Sequence, residues 1–202
     1  MIQTNGTRIN WNNHNAEAGF SVMELIIAMT ITLAVMTAAS TLLATSLRIR
    51  TRENARSNAL ASAQRALNIM SREVGNSGYG LNDNGIVVAD SNAQSIRIRA
   101  NLNNNTNLNQ TDEDLRFVFQ PANNAIVRVD NTGDSVVLAG NITALTIEYL
   151  DVAGVTTTAA AAERVRIDVR VDLPAGPEQP AGIVRLLSDV ALRNAPTTLQ
   201  QF

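Results

Sequence analysis

Residues 25–47 carry no ionisable side chain, and a single charge, Glu24, stands immediately before them. At about 1.5 Å of rise per helical residue, this run spans roughly 35 Å, enough to cross a bilayer core of about 30 Å. The pattern then changes. Leu60, Ala63, Leu67, Met70 and Val74 recur at spacings of 3, 4, 3 and 4, with polar residues between them. That period predicts a helix with one apolar stripe. Gly75, Gly78 and Gly80 follow and predict its end. One helix of roughly 50 residues is therefore expected, apolar all round at first and amphipathic afterwards.

Beyond residue 76 the period falls to two. Val165, Ile167, Val169 and Val171 alternate with charged residues, as do Val184, Leu186, Val190 and Leu192 with their neighbours. Leu145, Ile147 and Tyr149 form a third such set, and shorter strands are expected at 86–89, 95–99, 115–120, 125–130 and 135–139. One apolar and one charged face predict a half-solvated antiparallel sheet. Packed on the helical stripe, it gives an α+β fold. Residues 101–111 and 153–162 read as loops, and Pro174, Pro177 and Pro180 mark a turn.

A membrane span explains the apolar run better than its rivals. A cleaved secretory signal has a basic start and a shorter apolar core, whereas Arg8 is the sole basic residue upstream. A buried core helix would normally interleave polar positions. The arginines at 48, 50, 52 and 56 bear on orientation. Counted alone, they would place the downstream domain in the cytoplasm.

Composition narrows the chemistry. The 202-residue chain has a net charge of −2, so no global field favours nucleic acid. It has no cysteine, and all 16 basic residues are arginine. His14 and Trp11 are the only residues of their kinds, and both precede Phe20. Without residues 1–19 the chain has no His, Cys, Lys or Trp. Histidine bases, lysine Schiff bases, cysteine nucleophiles and Ser-His-Asp triads are then excluded. The reading is not an enzyme, with no cofactor and no metal.

Gly19, Phe20, Ser21, Val22, Met23, Glu24 and Leu25, followed by the apolar run, resemble the N-terminal signal of type IV prepilins and type II secretion pseudopilins. The resemblance implies a leader over residues 1–19, cut between Gly19 and Phe20 by a prepilin peptidase, and N-methylation of Phe20. It makes Glu24 the fifth mature residue and implies an assembly role: pairing with the Phe20 amine of a neighbouring subunit. Either charge alone in an apolar setting is costly, so pairing removes both costs and fixes register. Many family members carry a kinking proline in this helix. None occurs here between residues 20 and 120, so a straighter helix is expected.

Further segments are similar to PilW-like minor pilins: residues 71–80 at the end of the helix, 95–99, 142–151, and the close at Ala191, Leu192, Arg193 and Asn194. The resemblance implies a pilin-like organisation: leader 1–19, transmembrane and assembly helix 20–47, amphipathic helix 48–75 and β-rich domain 76–202. It implies a minor pilin, a structural subunit of a type IV pilus. The expected partners are the prepilin peptidase, other minor pilins, the major pilin and inner-membrane lipid, with a periplasmic β-domain before assembly. A minor pseudopilin of a type II secretion system is the nearest alternative; a signal-anchored periplasmic binding domain without a filament role is another.

Three clusters are candidate sites. Asn82, Asp83, Asn84 and Gly85 lack regular calcium-loop spacing, so a turn is expected. Asp112, Glu113 and Asp114 read as a solvated loop rather than a cation site. Arginines 97, 99, 164, 166 and 170 could face DNA, but acids lie beside them and aromatics are scarce, so a solvated sheet face is expected.

Overall fold

The computed structural model describes residues 19–105, 107–175 and 180–199. The leader expected over residues 1–19 therefore lies, up to residue 18, outside the described residues, as do His14, Trp11 and Pro177. The chain divides into two compact units at Leu47/Arg48, and a single helix, α1 (Val22–Gly75), contributes to both.

In the N-terminal unit every described residue is exposed, including the whole apolar run. The helix is long and apolar enough to cross a membrane, and none of its most apolar stretch is buried within the protein. Its threonines are suited to an apolar surrounding. The hydroxyls of Thr30, Thr32, Thr37, Thr41 and Thr45 each donate to a carbonyl three or four residues back, at 2.7–2.9 Å. This removes hydroxyl groups that hydrocarbon could not satisfy.

The C-terminal unit is an α+β domain. The amphipathic end of α1 buries Ala59, Ala63, Ala66, Leu67, Met70 and Val74. The expected stripe is right in phase but shifted at its start: Leu60 is only half-buried, while Ala59 and Ala66 are buried. Seven antiparallel strands follow: β1 (Ser95–Arg99), β2 (Asp114–Gln120), β3 (Ala125–Asp130), β4 (Ser135–Ala139), β5 (Ile142–Leu150), β6 (Arg164–Leu173) and β7 (Gly182–Ala191). They form two sheets, β1-β2-β3-β4 and β5-β6-β7, in chain order. The alternation alone did not distinguish one sheet from two. The break falls at Gly140 and Asn141, where Asn141 takes a positive φ of 57° and redirects the chain.

The helical stripe and the inner faces of both sheets share one core. The centre of the smaller sheet is its driest part: Val165, Ile167, Val169 and Val171 of β6 are fully buried. The edge strand β7 alternates half-buried with exposed positions. Ser71 of α1 meets Ser188 of β7 through a 2.8 Å hydroxyl bond.

The strand expected at 86–89 does not form. Ile86 makes one isolated bridge to Ile98, and Val88–Asp90 is a short 3-10 turn. Val87 N–H donates to Arg97 O and Arg99 N–H to Gly85 O, so the segment pairs with the β1 edge only around Ile86; the 3-10 turn, closed by Ser91 N–H to Val88 O, then ends the pairing.

Candidate functional site

The region around Glu24 is built by a helix start. Ser21 precedes α1; its Oγ accepts the Met23 N–H at 3.3 Å and its carbonyl accepts the Leu25 N–H at 3.1 Å. Glu24 lies three residues after this cap, in the first helical turn. Ser-x-x-Glu is the capping-box spacing, and a carboxylate here meets the positive end of the helix dipole. Only half of such a box forms: Ser21 Oγ takes the Met23 N–H, and among the described residues the Glu24 carboxylate makes no hydrogen bond back to Ser21. The cap explains why the helix begins where it does. It leaves the carboxylate's charge uncompensated, for among the described residues Glu24 has no ion-pair partner. Gly19 and Phe20 precede the helix, and Phe20 is 82% exposed. The expected cleavage junction thus lies in non-helical backbone beside an exposed apolar side chain.

The clusters in the C-terminal unit have structural roles. Asp83 Oδ1 accepts the Gly85 N–H at 2.8 Å, closing a turn as expected. Asn84 is buried, and its amide donates to the carbonyls of Ala159, Ala160 and Ala162. It ties this turn to a distant loop.

The solvated-loop expectation for Asp112, Glu113 and Asp114 holds only for Asp112. Asp114 is buried and takes Arg97 in a bidentate pair at 2.7 and 2.8 Å, plus Arg99 Nε at 2.9 Å. Strand alternation is the physical reason: Arg97 and Arg99 share a face of β1, and Asp114 is the register partner of Arg99 on β2. Glu113 is also buried; its Oε1 accepts the N–H groups of Leu102 and Asn103, anchoring the loop after β1. Among the described residues no three His, Cys, Asp or Glu side chains converge to hold a metal.

Burial alone would raise the carboxyl pKa of Asp114, but the hydrogen bonds and charges of Arg97 and Arg99 outweigh it and hold it below the usual range. A carboxylate with a depressed folded pKa stabilises fully above its unfolded value, near 3.9, and loses that contribution as pH falls through the folded pKa. Stability of the C-terminal unit should therefore fall below about pH 4. Asp114→Asn should flatten that acid limb in urea unfolding measured against pH. An unchanged limb would exclude Asp114 as a contributor.

The arginine-bearing faces are laced with acids, as expected of a solvated sheet. Arg164 and Arg166 share Asp189, and Arg166 also reaches Glu148. Arg185 pairs with Asp168. Arg170 is exposed and directly opposite Arg185 in the β6–β7 register. Burial pushes the Tyr149 phenol up to about 12, so it stays neutral.

No family model matches the chain, and neither curated proteins nor solved structures give a significant match. The fold defines the class of molecule: an N-terminal helix able to span a membrane, continuous with an α+β domain of two antiparallel sheets.

Proposed function

We propose that this chain is a PilW-like minor pilin, a structural subunit processed at Gly19–Phe20 and incorporated into a type IV pilus. One observation carries the reading. Gly19, Phe20 and Glu24 stand at fixed spacing before an uninterrupted apolar run, residues 25–47 of α1, that is wholly exposed. That helix needs lipid or like helices around it, and Glu24 needs a cation. A newly cut Phe20 amine on a neighbouring subunit supplies one.

On this reading the subunit waits in the inner membrane with its β-domain in the periplasm. The apolar helix then leaves lipid for a bundle of similar helices, exchanging one apolar setting for another at little net cost. The pair of Glu24 and amine decides where the subunit stops, because a one-turn slip would leave two charges unpaired. The prepilin peptidase, other minor pilins and the major pilin are the partners this requires.

Mass spectrometry of the mature N-terminus tests the proposal. The expected species begins at Phe20 and carries one added methyl group on its amine. A membrane-resident protein that keeps residues 1–19 would overturn it.

A further inference from the structure

We infer that Arg48 and Arg52 of α1 form a binding site for the phosphodiester of anionic lipid headgroups, with Arg50 adding charge on the other side of the helix. The inference rests on the membrane-spanning reading of residues 25–47.

Arg48 follows the apolar run directly, and Arg48, Arg50 and Arg52 are all exposed. None of the three makes an ion pair or side-chain hydrogen bond among the described residues. This sets them apart from the strand arginines, most of which have a carboxylate partner. Glu53 is the only acid nearby in sequence and pairs with none of them. Arg56, next in the same row, differs again: its Nη1 donates to the carbonyl of Pro174 at 2.9 Å, so its guanidinium is engaged by the chain just after β6.

Arg48 and Arg52 are four residues apart, one above the other on the same helix face. Like charges at this spacing repel and disfavour the helix. An anion between them reverses the sign of that interaction. Four residues rise about 6 Å. That matches the headgroup layer, which fills roughly 5–7 Å on each side of the hydrocarbon core. Arginine suits the task, since its planar fork binds phosphate oxygens in pairs and is weakly hydrated.

Native mass spectrometry of the full chain, released from mixed phosphatidylglycerol and phosphatidylcholine vesicles into mild detergent, reads the site directly. Retained phosphatidylglycerol should exceed phosphatidylcholine, and each arginine removed should weaken that preference roughly five-fold. Arg48→Gln with Arg52→Gln should therefore abolish most of it. Lysine at both positions should preserve part of it, and Arg65→Gln should leave it unchanged. Soluble glycerol phosphate should not compete, because it lacks the acyl chains that hold the headgroup beside the helix.

Equal retention of both lipids, or an unchanged preference in the double glutamine variant, would overturn the inference. Carbonate extraction separates this from failure of the underlying reading. A chain that washes off membranes has no spanning helix, whereas one that resists extraction without lipid preference refutes the headgroup site alone.

Discussion

On the proposed pilin reading, Glu24→Ala should leave the protein inserted and cleaved but absent from filaments. The prediction follows from the geometry at the start of α1. Ser21 caps the helix without help from the carboxylate, through its own Oγ and carbonyl. Removing the charge costs the helix about 0.3–1 kcal/mol of dipole interaction, too little to prevent insertion. It leaves every incoming subunit with a neighbour's amine uncompensated in an apolar bundle, a penalty of several kcal/mol per subunit. Sheared pili probed for the subunit should show at least a hundred-fold loss, with normal amounts of processed protein in the membrane. Glu24→Gln should do nearly as badly, since it preserves shape but not charge. Normal incorporation of either variant would remove Glu24 from the assembly mechanism and leave it only its interaction with the helix dipole.

Gly85→Ala should produce the largest stability loss in the C-terminal unit, about 4 kcal/mol. Gly85 has a φ of +71°, already unfavourable for a residue with a Cβ. A Cβ there would also collide with the backbone at Gly78 N and Arg99 O. Those two atoms are joined to each other by a 2.8 Å hydrogen bond, and Arg99 N–H returns to Gly85 O at 2.7 Å. No side-chain rotation relieves a clash with paired backbone. The segment after α1, the turn at 82–85 and β1 all meet here, so any shift spreads to the core. Gly133→Ala is the control. Its φ is +90° but nothing lies within 4 Å of the added carbon, so backbone strain is its only cost. Urea unfolding of the two variants should differ by at least 2 kcal/mol; equal losses would mean that the close backbone approach at Gly85 is unimportant.

Much of this fold could be read from spacing. The helix ends at Gly75 as the glycines require, and the three long strands lie where alternation placed them. Those signals are strong because burial on one face imposes a period that no other residues satisfy. Residues 86–89 do meet a free strand edge, that of β1, but the 3-10 turn at Val88–Asp90 curls the chain away after one bridge, and a short apolar run does not announce that turn. The burial of Asp114 is not legible locally, because its two arginines are 15 and 17 residues away in sequence. Only the β1–β2 register brings them together.

The loop after β1 holds a signal that went unread. Asparagine occupies positions 101, 103, 105, 107 and 109, and from Asn103 to Asn107 each side-chain oxygen accepts the backbone N–H two residues on. The alternation looks like a strand but lacks apolar partners. Its period comes from side chains substituting for a neighbouring strand. At the other end of the molecule the Ser21 cap is equally legible, as a serine directly before the apolar run.

The inward-turned threonines of α1 give the apolar run an unusual outer surface. With five hydroxyls folded onto their own backbone, those side chains offer adjacent helices methyl groups rather than hydrogen-bonding hooks. Such a rod can slide and rotate against its companions without a ladder of notches to catch it. On the proposed pilin reading, where it comes to rest is decided at its tip, and a single carboxylate is enough to act as the latch.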